Sequence, residues 1–180
     1  MAADETGISH DLLLRVTPPR VPRHLIARSQ LRADHPHFNA AAVVVQAPAG
    51  FGKTFLLAQW RRECLAQGAV VAWVSAQPGD DVPRFLHCLA LSVRLAAARP
   101  TFGHTLLAGL SRSGLDGITV WLAEVAQSAL QMVLMVDDAE RLSDEARELL
   151  TYLLHNAQSN LRTVVGVRPD CQLAVADLLA

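Results

Sequence analysis

Four short apolar runs punctuate this chain: Ala41–Gln46, Val70–Val74, Met132–Val136 and Thr163–Val167. None alternates with polar residues, so each reads as a strand covered on both faces. The stretches between them carry apolar residues at helical spacing. Thr54–Gln67 predicts a helix, stopped by Gly68. Pro83 suits a first helical position, and Leu86, Leu89, Ala90, Val93 and Ala97 follow on one face. Asp116 is the expected cap of a helix bearing Ile118, Leu122, Val125, Ala126 and Ala129, and Ser143 caps one bearing Ala146, Leu149, Leu150, Leu153 and Leu154. Strands alternating with helices of this length predict an α/β fold: a mainly parallel sheet, right-handed crossovers, and helices on both sides in three layers.

The flanks are less regular. Residues 1–14 read as a flexible N-terminus and 15–40 as a basic lead-in arm before a core over 41–180. Pro18, Pro19 and Pro22 keep the arm extended. A short helix is expected over His24–Arg32, ended by Pro36 and Asn39. Phe102–Gly114 has no clear assignment, and Leu173–Ala180 reads as another helix.

Composition narrows the functional classes. Half of the residues are apolar and the formal net charge is −1, so no global nucleic-acid signature exists. Charge is uneven locally: five arginines and no acid lie between Arg15 and Arg32, whereas acids gather from Asp137 to Glu148. Cys64, Cys88 and Cys171 form no CxxC pair, so buried free thiols in a reducing compartment are expected. No segment is long and apolar enough for a bilayer, and the polar, acidic start is unlike a signal peptide; the cytoplasm is the expected location, with no membrane partner. The histidines are dispersed. Asp34-His35-Pro36-His37 lacks a further ligand and reads as solvated loop rather than metal site.

One lysine stands among fifteen arginines, and it is Lys53. It closes Ala47-Pro48-Ala49-Gly50-Phe51-Gly52-Lys53-Thr54, between a predicted buried strand and a predicted helix. This is the layout of a phosphate-binding loop. Gly50 and Gly52 let successive N–H groups turn inward around an anion. The helix N-terminus adds positive potential. Lys53 would reach the β- and γ-phosphates, and the Thr54 hydroxyl would ligate Mg²⁺. Ala47 stands where the full pattern has its first glycine. The fold class therefore sharpens to a P-loop NTPase core binding ATP or ADP with Mg²⁺.

Two further elements fit that chemistry. Asp137, at the tip of a neighbouring strand, would hold Mg²⁺ directly or through water. Asp138 is placed to polarise an attacking water. It is one methylene shorter than the glutamate common in ATPases, which predicts slow hydrolysis, with Glu140 as a fallback base. Arg168, just past the fourth strand, lies at the carboxyl edge where parallel sheets bind ligands, and would sense the γ-phosphate.

In this order the motifs resemble the large ATP-dependent bacterial transcription regulators of the MalT type, within the STAND class of signalling ATPases. The matching segments are Arg20–Leu31, Ala47–Thr54, Ala72-Trp73-Val74-Ser75 with Asp80-Asp81 and Arg84-Phe85-Leu86, Val136-Asp137-Asp138, and Arg168-Pro169-Asp170. They cover roughly residues 15 to 175. Ala76 and Gln77 depart from the usual Leu-Asp. The resemblance implies that Arg28 contacts the nucleotide and that a loop without the first glycine is ordinary. It also implies an ATP-bound state that self-associates and activates transcription, reset by slow hydrolysis. The family's lid, winged helix, sensor repeats and LuxR-type DNA-binding domain are absent from these residues. Contact with DNA would need that missing C-terminal domain. Two other readings stand beside the switch: a small P-loop kinase, and a non-hydrolysing nucleotide-binding assembly module. With only Arg99 and Arg112 between 99 and 114, no arginine-rich kinase lid is evident.

Overall fold

The computed structural model describes residues 10–21, 26–34, 38, 40–109, 111, 113–171, 173 and 174. Strands β1 (Ala42–Gln46), β2 (Val70–Ser75), β3 (Met132–Asp137) and β4 (Leu161–Val167) form one parallel sheet in the order β1-β4-β3-β2. Around it lie α1 (His10–Arg15), α2 (Lys53–Ala66), α3 (Val82–Ala97), α4 (His104–Leu107), α5 (Gly114–Gln127) and α6 (Asp144–Asn156).

The order explains the layers. From β1 the chain crosses to the far edge at β2 and then steps back through β3 to β4. Crossovers of one hand that reverse direction must use opposite faces. Accordingly, α2 covers one face, where Leu57 and Trp60 meet Trp73, Met135 and Val164. Helices α3, α5 and α6 cover the other, where Leu89, Trp121 and Leu150 meet Val74, Leu134 and Val165. All of β3 is buried. The strand β1 is not: Val43, Val44 and Val45 are half-buried, because β1 pairs with β4 alone among the described residues.

Local chemistry sets most helix starts. Asp81 caps α3 by accepting from Arg84 N, with Pro83 in the first turn one place later than expected. Ser143 caps α6 as expected. For α5 the cap is Ser113 rather than Asp116, whose own N–H donates to the Ser113 hydroxyl. The expected helix over His24–Arg32 is not formed from Ile26 onward, and residues 24 and 25 lie outside the described residues. From within the segment read as a flexible start to the first residue of the arm, His10–Arg15 is helical. The expected helix over Leu173–Ala180 and the pair His35 and His37 lie mostly or wholly outside the described residues.

Helix α1 is fastened by a buried ion pair. Arg15 and Asp80 are 8% and 3% exposed, and Arg15 Nη1 donates to Asp80 Oδ1. The Trp73 block is likewise structural: Trp73 is core, and its indole N–H donates to Ser75 Oγ at 2.8 Å. All three cysteines are free and buried. Burial raises each thiol's pKa, that of Cys88 to about 12, so the thiols stay protonated at neutral pH.

Candidate functional site

The loop leaves β1 at Gln46 and reaches α2 at Lys53. Its start is held to β4 by Ala47 N donating to Val167 O at 3.2 Å. Gly50 and Gly52 take φ of 81° and 78°, the left-handed region that suits glycine. These turns leave Pro48, Ala49, Gly50 and Phe51 exposed on the outside of the loop. Lys53 is only 7% exposed. Its ammonium folds back beneath the loop and donates to Ala47 O at 2.8 Å and Pro48 O at 3.3 Å. The lone lysine therefore braces the loop and places a positive charge under it.

Arg28 joins the loop from far away in sequence. Its Nη2 donates to Phe51 O at 2.6 Å, and a Cβ on Gly52 would stand 2.8 Å from that same nitrogen. The arm is fixed to α2 by three side chains that sequence reading passed over. Gln59 Oε1 accepts from Arg28 N at 2.9 Å, Trp60 Nε1 donates to Leu31 O at 2.7 Å, and Glu63 Oε2 accepts from Ala33 N at 2.6 Å. Spacing of i, i+1 and i+4 on one helix was the available signal, but their partner strand of coil has no pattern of its own.

Asp137 ends β3, which does not neighbour the strand that leads into the loop: β4 lies between them. A glycine bridges the gap. A Cβ at Gly166 of β4 would lie 3.1 Å from Asp137 Oδ1, so any larger residue would crowd the carboxylate. Asp137 is 3% exposed, and Oδ1 has no hydrogen-bond partner among the described residues. Burial raises its pKa above the ordinary carboxylate range, opposed by a side-chain hydrogen bond from Thr54 and by the charge of Lys53. A buried, incompletely satisfied carboxylate beside a hydroxyl is a set of hard oxygen donors that suits Mg²⁺. Thr54 and Asp137 thus lie side by side. No cluster of three or more His, Cys, Asp or Glu residues suited to a metal occurs among the described residues.

The other two expected residues are engaged elsewhere. Asp138 has φ of 54° and pairs through Oδ2 with Arg141 Nη2 at 3.2 Å, along the short 3₁₀ turn Ala139–Arg141. Arg168 Nε lies 2.9 Å from Glu140 Oε1, an ion pair whose alignment falls short of a hydrogen bond. Glu140, expected as a fallback base, faces this arginine instead. The pair lines a basin of about 840 Å³ with Pro78, Gly79, Arg141, Arg147, Asp170 and Cys171, beyond the carboxyl ends of β2, β3 and β4.

A sheet in this order, a left-handed glycine loop over a buried lysine, and a buried aspartate one strand removed agree with the sequence comparison. Residues 35–173 match the family described as "AAA domain". The chain belongs to that family. It is an AAA-type P-loop domain with a four-stranded parallel sheet flanked by helices. Among curated proteins, serine/threonine-protein kinase PknK of Mycobacterium tuberculosis is 33% identical over 129 residues, 68% of this chain and 11% of the relative. HTH-type transcriptional regulator MalT of Vibrio cholerae is 29% identical over 140 residues, 76% of this chain and 15% of the relative. MalT of Cronobacter sakazakii is 26% identical over 160 residues, covering 86% and 17%. The AAA domain thus spans between 11% and 17% of the length of these relatives. No helix among its described residues is long and apolar enough to cross a membrane.

Proposed function

We propose that this domain is a nucleotide switch that binds ATP or ADP with Mg²⁺, within a transcription regulator similar to MalT. The observation that carries this is Lys53, nearly buried beneath a left-handed glycine loop and hydrogen-bonded to that loop's own carbonyls. Such a charge, with exposed loop residues above it, is arranged for an anion rather than for a core contact. Arg28 would complete the rim over the loop. Thr54 and Asp137 would hold the Mg²⁺, which supplies positive charge to the phosphate oxygens. The MalT relatives, named as HTH-type transcriptional regulators, support the regulator reading; self-association and DNA contact would belong to the full-length protein. The cytoplasm is the compartment that suits it.

Hydrolysis in this reading is slow. Asp138 is drawn to Arg141, so it is not free to orient a water without first leaving that partner. The same observation favours, as a second reading, a module that binds nucleotide without turning it over. A small P-loop kinase has less support: Arg99 Nη2 is occupied by Ser128 O at 3.2 Å. Equilibrium titration with ATP and ADP, beside a phosphate-release assay, tests these readings. Binding that is lost in Lys53→Ala, with little turnover, is the expected result. Unchanged affinity in Lys53→Ala would remove the basis for the nucleotide site, and rapid transfer to a small acceptor would remove the switch.

A further inference from the structure

Arg168 presents a mismatch between backbone and side chain. Its backbone stands beside the phosphate loop. Val167 O accepts from Ala47 N at 3.2 Å, and Pro169 O accepts from Gln46 Nε2 at 3.3 Å. Its side chain goes the other way. The partner, Glu140, follows β3, on the side of β4 opposite to β1. Strand order therefore turns the guanidinium away from the loop that its own backbone adjoins.

The pair is joined by one contact without hydrogen-bond alignment. Glu140 is well buried, with its side chain 11% exposed, yet neither of its carboxylate oxygens has an aligned hydrogen-bond donor. The Arg168 side chain is 41% exposed, and its ion pair with Glu140 runs through Nε, leaving the Nη groups outside that contact. A single misaligned contact through Nε is a weak restraint on the guanidinium. A phosphate oxygen offers its terminal fork a paired, better aligned site. The difference between a triphosphate and a diphosphate is one phosphoryl group, so the residue that must be drawn toward it governs the choice between them.

We propose that Glu140 sets the preference between ATP and ADP by holding Arg168 away from the phosphate loop, as a positioning residue that a triphosphate must displace. This rests on the nucleotide-site reading above. ADP leaves the clasp closed; a triphosphate opens it and frees Glu140 in the basin beside Arg141 and Arg147. Opening thus links the third phosphate to the 3₁₀ turn after β3 and to the start of α6, the elements that carry those residues.

The test is a set of affinities measured with Mg²⁺ for ADP and for a non-hydrolysable ATP analogue. The proteins are the unaltered chain, Glu140→Gln, Arg168→Gln and the double variant. Glutamine keeps the shape of glutamate and removes its charge. With Arg168 partly exposed, release of the ion pair should raise triphosphate affinity by about threefold to fivefold, with ADP affinity unchanged. Arg168→Gln should weaken the analogue by about tenfold, as expected for a charge-assisted contact, and again spare ADP. The double variant should match Arg168→Gln alone, since Glu140 acts only through the arginine. A general structural role would move both nucleotides together. Equal shifts for ADP and the analogue, a loss of triphosphate affinity in Glu140→Gln, no change, or an effect that persists without Arg168 would each overturn the clasp while leaving the nucleotide site intact. Failure of the unaltered chain to bind either nucleotide would overturn the site itself and the clasp with it.

Discussion

Replacing Gly52 by alanine disturbs two things at once, whereas replacing Gly50 disturbs one. Both residues are left-handed, with φ of 78° and 81°, where an added Cβ costs about 1 kcal/mol in backbone strain. At Gly50 the new atom would meet nothing within 4 Å. At Gly52 it would stand 2.8 Å from Arg28 Nη2. The guanidinium can swing aside, but its hydrogen bond to Phe51 O then goes. In an exposed setting that bond contributes about 1 kcal/mol net. Gly50→Ala should therefore cost about 1 kcal/mol and Gly52→Ala about 2 kcal/mol. For a chain of this size, 1 kcal/mol corresponds to about 2–4 °C of melting temperature. Thermal melts of both variants, in the unaltered chain and in an Arg28→Ala background, form the assay. Without Arg28 the two glycine substitutions should cost the same. Equal melting temperatures in the unaltered background would refute the reasoning, as would an extra cost at Gly52 that survives the loss of Arg28. Nucleotide affinity should follow the same pattern, with the Gly52 variant weaker only while Arg28 is present.

Two more outcomes follow from buried charge. Asp137 has a raised pKa, so the fold disfavours its ionised form, and this burden grows as pH climbs from the ordinary carboxylate value through the shifted one. Without divalent cation, Asp137→Asn should melt higher than the unaltered chain at neutral pH. The gap should close below the ordinary value of 3.8, and the Mg²⁺-dependent part of nucleotide binding should vanish. A gap that does not narrow on acidification would contradict the assignment. Among the described residues, Asp80→Ala leaves Arg15 buried beside only Asp11, at 3.0 Å. The loss should approach about 3 kcal/mol, and a denaturation midpoint within error of the unaltered chain would mean that the pair is not buried as described.

Much of the scaffold was legible without coordinates. Apolar runs without alternation marked all four strands, and their boundaries moved by a residue or two. The glycine loop and Lys53 were legible because φ freedom and a helix N-terminus are properties of adjacent residues. Errors fell where two local signals competed. Asp116 and Ser113 are both good caps, and the tertiary path of the chain made Ser113 the one outside the helix. Val43–Val45 looked as buried as the other runs, but burial depends on how many neighbours a strand has, and β1 has one among the described residues.

What the sequence determined by itself was a set of short-range facts: strand, loop, helix, one lysine at the turn, and acids at a strand tip. Only the tertiary structure decided which of these act together. It placed β4 between β1 and β3, so Asp137 reaches the site past Gly166. It brought Arg28 onto Phe51 and turned Asp138 and Arg168 to other partners. The reason is physical. Periodicity and turn chemistry are set by residues a few positions apart, whereas strand order is set by how whole helices cover the sheet. Each of these reassignments joins side chains through that order or through packing, and neither is written in any one segment.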